Sequence, residues 1–184
     1  DTKVGQVLPK TKYLAFFNDE LHEFKIFNYS FELWNDEHLR FMQKENPYLI
    51  LSLNTTEVRL PVIGFKYIAT HIPTKEDISS ADVEEGQPVT FDDIANASTG
   101  DRLLGYVKAD VDNLGTILRE GFKGTRLSIS RFTAFSRLVE TFFAGYLHAR
   151  MKNDFKEIYT VFSGGDDFFV LGPWDKSIKF AKRI

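Results

Sequence analysis

The apolar positions in the last third of the chain follow two different periods. Short apolar runs rich in β-branched and aromatic residues have the length of strands, whereas other apolar residues recur at i, i+3 and i+4, the spacing of one helix face. The predicted order is β-α-α-β-β-α. The predicted elements are strands over 103–109, 158–162 and 168–171, and helices over 113–120, from a cap at Ser130 through Tyr146, and from a cap at Asp175.

The first third of the chain has mostly strand patterns. Residues 24–33 alternate with a period of two, and every second residue from Phe27 to Leu33 is large and apolar, which indicates one half-buried strand. Residues 1–72 are therefore predicted to form a β-rich α+β segment. The other predicted elements in it are strands over 12–17, 48–53 and 62–69 and a short helix over 36–45.

Residues 73–101 differ from both flanks. Large apolar residues are few, proline and glycine recur, and one lysine faces eight acidic residues between Ile72 and Asp101. This composition is typical of a solvated connection. We therefore predict three parts, namely the β-rich segment 1–72, an acidic connection 73–101 and a second folded domain 102–184.

Composition excludes several classes of function. The 184 residues contain no cysteine, which rules out a disulfide framework, a thiolate nucleophile and a cysteine-ligated zinc site. The net charge of −3 argues against a protein that coats nucleic acid by bulk charge. No apolar run approaches the roughly 20 residues that cross a bilayer, so we expect no membrane partner and a cytoplasmic location.

Two acidic motifs stand out in the second domain. Asp110-Val111-Asp112 comes at the end of a predicted strand, and the run 163–167 (SGGDD) comes at a predicted hairpin tip. Each has an ordinary structural explanation. Asp112 or Asn113 can cap a helix, and Gly-Gly-Asp-Asp is good turn chemistry.

The two motifs together indicate a metal site. A strand end and a hairpin tip on adjacent strands would bring several carboxylates into one small volume, where like charges require neutralisation by cations. Carboxylate and carbonyl oxygens favour Mg²⁺ or Mn²⁺, and such ions suit nucleotidyl transfer. Gly164 and Gly165 would let the backbone approach a phosphate, and the helix beginning near Asn113, with little bulk at Gly115, would favour an anionic triphosphate.

Four segments together match one known family. They are residues 108–115 (KADVDNLG), 128–137 (SISRFTAFSR), 163–167 (SGGDD) and 172–175 (GPWD). These segments resemble the large subunit of type III CRISPR effector complexes, most closely the Csm (III-A) subtype. The resemblance implies an α+β fold, a GGDEF/cyclase-like palm with a ferredoxin-like antiparallel sheet and helices on one face. It also implies that this palm is cut short at its C-terminal end.

The resemblance implies a function and roles for individual residues. The family converts ATP into cyclic oligoadenylates when its complex binds target RNA, with Mg²⁺ or Mn²⁺ as cofactor. Asp110 and Asp166 would be the principal metal ligands, with Asp167 beside them, the Val111 carbonyl as a further ligand and Asp112 as a secondary candidate. The nucleotide would lie against Ser163, Gly164, Gly165, Asn113 and Gly115. For Ser163, a hydroxyl that stabilises the turn is an equally good explanation.

The resemblance also names partners and leaves alternatives. The expected partners are the other Csm-type subunits, crRNA, target RNA and the first palm domain of the full-length protein. A diguanylate cyclase is the nearest alternative, but such enzymes carry Glu where this chain has Asp167. They also read guanine with a polar side chain at the position of the apolar Leu118. A non-catalytic palm that serves as a scaffold for ribonucleoprotein assembly is the second alternative.

Overall fold

The computed structural model describes residues 7–22, 24–124 and 128–184, and these form two compact units. The first unit is Asp1–Tyr67 and the second is Ile68–Ile184. The division lies close to the boundary that the sequence predicts at residue 72. The second unit, however, includes the whole of 73–101.

The described residues of the first unit form one sheet and two short helices. The elements are a 3-10 turn at Leu8–Lys10, β1 at Tyr13–Phe17, β2 at Phe24–Ile26, β3 at Tyr29–Trp34, α1 at Asp36–Arg40, α2 at Met42–Glu45, β4 at Leu49–Leu53 and β5 at Gly64–Lys66. The sheet has the order β2-β3-β1-β4-β5 and is antiparallel except for the β4–β5 pair. Its core is formed by buried residues that include Phe17, Trp34 and Ile50.

Two strand predictions in this unit are wrong in their extent. Residues 24–33 form a hairpin instead of one strand, because Ile26 pairs with Tyr29 across a two-residue turn. Phe27 in that turn has φ 53° and is exposed. No glycine or proline marks this turn, so the alternating pattern runs through it unbroken. The strand predicted over 62–69 is reduced to β5.

The second unit is a three-stranded antiparallel sheet with helices. Its elements are α3 at Phe91–Asn96, β6 at Leu104–Asp110, α4 at Leu114–Gly121, α5 at Ile129–Glu140, a π-helical segment at Thr141–Tyr146, α6 at Leu147–Asp154, β7 at Tyr159–Gly164, β8 at Asp167–Pro173 and α7 at Trp174–Ala181. The strand order is β6-β8-β7, so the last strand lies between the other two. The α+β fold predicted from the sequence is confirmed.

The main core of this unit lies on one face of the sheet. Phe168 and Val170 of β8 point to this face and pack with Leu147 of α6 and Phe180 of α7, all of them buried. Residues that alternate with them, such as Phe169, point to the opposite face. The sheet therefore separates a core face, on which α6 and α7 pack, from a second face.

The acidic connection is a packed part of the second unit. Ile78, Val89 and Ile94 are buried with Leu171 of β8, on the second face of the sheet. Thr90 and Asp93 form a reciprocal capping box that starts α3. The prediction of a solvated connection is therefore wrong. Ile78, Val89 and Ile94 are buried although Phe91 in the same stretch is 51% exposed, and an average over the composition cannot reveal which apolar residues are buried.

The long helix over 129–154 departs from its predicted start and phase. Ser128, not Ser130, is the N-cap, since its side chain accepts from the Arg131 N–H. The helix also changes to π geometry over Thr141–Tyr146. A π turn shifts the phase of every later position, so an i, i+3, i+4 pattern extrapolated through it no longer marks one face. Phe143 is buried, whereas Leu138 is 70% exposed.

The buried His148 gives this unit a predicted pH dependence. Burial, aided by the nearby positive charges of His71 and Lys152, lowers the pKa of His148 to about 4. Its Nδ1 lies 3.3 Å from the Thr70 N–H, so that nitrogen is an acceptor and unprotonated. The unfolded chain binds a proton below about pH 6.5 that the folded imidazole does not, so stability is lost as the pH falls from there towards 4.

We expect protonation of His148 in the unfolded chain to lower the free energy of unfolding by about 2–3 kcal/mol between pH 7 and pH 4.5. Urea unfolding of the chain at the two pH values measures the loss. His148→Asn keeps an acceptor near the Thr70 N–H but does not titrate, so its pH dependence should be flatter by this amount. An equally steep dependence in the variant would contradict the assignment.

Candidate active site

Backbone pairing brings the two acidic motifs together. The Cα atoms of Asp110 and Asp167 are direct partners in the β6–β8 ladder. One residue further, the Val111 N–H donates to the Asp166 carbonyl at 2.9 Å. The end of β6 and the tip of the β7–β8 hairpin are therefore adjacent, in the arrangement that the sequence indicates.

The hairpin tip is a two-residue turn built on glycine. Gly164 pairs with Asp167, which leaves Gly165 and Asp166 as the turn. Gly165 has φ 66°, a conformation that other residues rarely adopt. A Cβ added at Gly164 or Gly165 would meet no heavy atom within 4 Å. The glycines thus leave open space over the tip, as a bound phosphate group requires.

The carboxylates of Asp110 and Asp167 share the second face of the sheet, because directly paired residues of an antiparallel ladder point the same way. Asp110 is exposed and Asp167 half-buried. Within residues 7–22, 24–124 and 128–184, no three histidine, cysteine or acidic residues are arranged to hold a metal ion. The donors near the tip are carboxylate and carbonyl oxygens, which fit Mg²⁺ or Mn²⁺ bound by one or two carboxylates and completed by substrate phosphates.

The first turn of α4 faces the same region with its backbone. Asn113 occupies the N-cap position with φ 58°, yet its side chain makes no capping hydrogen bond. The predicted capping role of Asn113 is therefore limited to the backbone. A Cβ at Gly115 would meet nothing within 4 Å, so the start of the helix is open. Uncapped N–H groups at a helix start favour an anionic ligand.

A pocket of about 320 Å³ lies beside the hairpin tip. Asp166 and Gly165 form its acidic end, and Leu118 lies in its wall on α4. The wall contributed by α5 was missed by sequence reasoning, which named no site residue on this helix. The remaining lining residues are Leu114, Phe132, Phe135, Ser136, Val139 and Glu140.

The Ser163 hydroxyl makes a hydrogen bond within the protein. Its Oγ donates to the Phe143 carbonyl at 2.6 Å, and Ser163 pairs with Phe168, so its side chain points to the core face. This contact ties β7 to the π-helical segment. Of the two explanations for Ser163, the geometry favours a structural hydroxyl over a nucleotide contact. The hydrophobic pattern could not distinguish them, because both leave Ser163 at a strand end.

The site lies in a region that matches a known protein family. Residues 103–184 match the model of the Cas10/Cmr2 second palm domain. Residues 103–184 belong to the Cas10/Cmr2 family. A Cas10/Csm1 protein (subtype III-A) of Methanocaldococcus jannaschii, named as a CRISPR system single-strand-specific deoxyribonuclease, is 33% identical over 81% of the chain. The chain spans 20% of that protein, so it corresponds to about a fifth of a Cas10 subunit.

Solved structures of Csm1–Csm4 cassettes share the fold. A crystal structure of such a cassette with one ATP bound has a TM-score of 0.71 and 26% identity, covering 98% of this chain and 26% of that one. A cassette in complex with cA3 has a TM-score of 0.67 and 25% identity, covering 94% of this chain and 25% of that one. In the part of this Cas10 segment that the structure describes, no helix is long and apolar enough to cross a membrane.

Proposed function

We propose that this Cas10 segment carries a nucleotidyltransferase site that converts ATP into cyclic oligoadenylates. It works within a cytoplasmic, target-RNA-activated type III CRISPR antiviral complex. The observation that carries the proposal is the pairing of Asp110 with Asp167 beside the pocket that Asp166 lines. Similarity to cassettes solved with ATP and with cA3 supports an adenine nucleotide as the substrate.

The reaction joins two nucleotides. The 3′-hydroxyl oxygen of one attacks the α-phosphorus of the other, the hydroxyl proton is released to solvent, and the bond to pyrophosphate breaks with its electron pair. Asp110, Asp166, Asp167 and the Val111 carbonyl would hold Mg²⁺ or Mn²⁺, and an ion bound there would polarise the α-phosphate and lower the pKa of the attacking hydroxyl. The open tip at Gly164 and Gly165 and the start of α4 accommodate the triphosphate.

The α4 wall of the pocket favours adenine over guanine. Leu118 lines it at the position where diguanylate cyclases use a polar side chain. An apolar wall offers no partner to the additional polar group of guanine, and leaving such a group unpaired costs binding free energy. The diguanylate cyclase alternative is therefore not favoured by any lining residue of α4.

The proposed partners include other parts of the full-length protein. The chain spans about a fifth of the Cas10/Csm1 relative, and the first palm domain of the full-length protein is one proposed partner. The Csm4 subunit of the neighbouring structures, other Csm-type subunits, crRNA and target RNA complete the proposed complex. A palm that serves only as a scaffold would not need the carboxylate arrangement at the hairpin tip.

Metal-dependent ATP binding tests the proposal. In the full-length subunit with its Csm4 partner, isothermal titration should show ATP binding that requires Mg²⁺ or Mn²⁺. Asp166→Ala should abolish it, because this carboxylate lines the pocket and belongs to the proposed ligand set. Asp101→Ala, an exposed acidic residue before the opposite end of β6, is the matched control and should bind as wild type. ATP binding without metal, unaffected by Asp166→Ala, would refute the proposal.

A further inference from the structure

One continuous helix contributes both to the pocket and to the core of the second unit. Residues 129–154 form this helix, in which α5 lines the pocket beside Asp166 and α6 packs into the main core. The π-helical segment separates the two parts. Val139 and Glu140, the last pocket residues of α5, directly precede that segment. Any change in the geometry of the segment would therefore rotate the pocket wall relative to the core.

The π geometry of this segment calls for support from outside the helix, because π-helices are rare. They occur mostly as single turns inserted in an α-helix, often at functional sites. Here the Leu147 N–H donates to the Phe142 carbonyl, five residues back, which is the π pattern. If the segment returned to α geometry, α5 would turn by about 100° relative to α6, the rotation of one α-helical residue. A different set of side chains would then face Asp166.

The Ser163 hydroxyl reaches the middle of the π-helical segment. Its Oγ donates to the carbonyl of the buried Phe143 at 2.6 Å, within the ordinary range for two oxygen atoms. The ring centroid of Phe143 also lies 6.1 Å from that of Phe168, which is the direct partner of Ser163 in the β7–β8 ladder. One hydrogen bond and one aromatic contact thus fix the segment to both strands of the hairpin.

These contacts lie next to the proposed reaction centre. Ser163 precedes Gly164, which pairs with Asp167, and Phe168 follows Asp167. The hydrogen bond is therefore one strand residue, or about 3.4 Å along the chain, from the pair that ends the hairpin. The residues that fix the hairpin tip are the same ones that fix the helix carrying the pocket wall.

We propose that Ser163 is a positioning residue, which holds the π-helical segment and thereby sets the face that α5 presents to the pocket. Its hydroxyl acts through the helix and not on the nucleotide, because it points to the core face. This role rests on the proposed nucleotidyltransferase function. The pocket wall contacts ATP equally in the ground state and the transition state, since no bond changes there. Loss of the hydroxyl therefore weakens ATP binding and leaves the chemical step nearly unchanged.

Ser163→Ala should raise the Kd for ATP about five- to tenfold, the scale of one lost hydrogen bond. Isothermal titration of the full-length subunit with its Csm4 partner and Mg²⁺ measures this change. The kcat of the RNA-activated complex should stay within about threefold of wild type, because backbone contacts hold the hairpin tip. Ser163→Thr keeps the hydroxyl on a side chain that suits a strand and should recover most of the lost affinity.

Ser177→Ala is the matched control. The Ser177 Oγ donates to the Gly105 carbonyl at 3.1 Å, and Ser177 is 2% exposed, so this variant loses the same kind of hydrogen bond. Gly105 lies five residues from Asp110 along β6, a distance of about 17 Å. The variant should shift the urea midpoint of the second unit much as Ser163→Ala does. It should keep the wild-type Kd for ATP.

Hydrogen exchange tests the link between Ser163 and the helix without any nucleotide. In Ser163→Ala, the amides of residues 141–147 should exchange at least about tenfold faster than in wild type. Ser177→Ala should leave their exchange unchanged, because its hydrogen bond does not involve this helix.

Several results would overturn the positioning role. Unchanged exchange over 141–147, an unchanged Kd for ATP, or an equal rise of this Kd in Ser163→Ala and Ser177→Ala would each do so. A wild-type Kd with a much lower kcat would also do so, because Ser163 would then act on the reaction directly. If wild type neither binds nor turns over ATP, the proposed function fails, whereas the exchange of residues 141–147 still tests the link.

Discussion

Replacing Asp166 and Asp167 together by alanine should lower ATP turnover of the RNA-activated complex by at least about 100-fold. The two carboxylates flank the end of the β7–β8 hairpin, and Asp167 faces Asp110 across the ladder. Removing them leaves Asp110 as the one acidic side chain of the proposed ligand set. The proposed metal ion would then lose most of its ligands, and the triphosphate and the attacking hydroxyl would no longer be held in line.

The fold should survive this double substitution. The contacts that hold the tip are made by the backbone, since the Val111 N–H donates to the Asp166 carbonyl and Gly165 supplies the turn. Circular dichroism and complex assembly should therefore match wild type. The measurement is pyrophosphate release with target RNA, compared with Asp101→Ala as the acidic control. Turnover of the double variant within tenfold of wild type would place the chemistry elsewhere and favour the scaffold alternative.

Phe168→Ala should destabilise the second unit by about 3–5 kcal/mol, the usual cost of removing a buried phenylalanine. Phe168 is 2% exposed and lies in the main core. Its ring centroid is 6.1 Å from those of both Phe143 and Phe180, so truncation leaves a cavity between the π-helical segment and α7. Because Asp167 precedes it, the same cavity would loosen the strand that carries the carboxylates.

Phe169→Ala is the matched control for this prediction. The two phenylalanines are neighbours on β8, but Phe169 points to the second face and is half-buried. Its truncation leaves no enclosed cavity and should cost less than about 1.5 kcal/mol. Urea unfolding, followed by fluorescence and far-UV circular dichroism, measures the free energy of unfolding of both variants, with a separate transition fitted for each unit. An equal loss of this free energy in the two variants would show that β8 does not divide the unit into a core face and an open face.

The local sequence pattern was sufficient to predict the structure where that structure depends on residues close together in the sequence. The strands β6, β7 and β8 and the helix α4 lie where periodicity indicates, because strand and helix periods are imposed by the backbone itself. The Gly-Gly-Asp-Asp turn was predictable as well, since Gly165 is needed for its φ of 66°. Pattern was insufficient at Phe27, where a turn without glycine interrupts an unbroken alternation.

Local pattern also failed where burial depends on distant residues. The stretch 73–101 looked solvated because its few apolar residues are far apart in the sequence, yet Ile78 and Ile94 meet Leu171 in one cluster. The pocket wall on α5 could not be predicted for the same reason. The phase of the helix changes at the π-helical segment that follows α5, and the i, i+3, i+4 spacing of apolar residues does not predict that change.

The sequence by itself determined the order of the palm elements, the two acidic motifs and the family, because turn chemistry and hydrophobic period are local properties. Only the tertiary structure decided which side chains meet. The β6–β8 register placed Asp110 opposite Asp167, and the same register turned Ser163 towards the Phe143 carbonyl and Phe169 away from the core. A one-residue shift in pairing would reverse every one of these directions, and that shift is governed by long-range packing, not by any single segment.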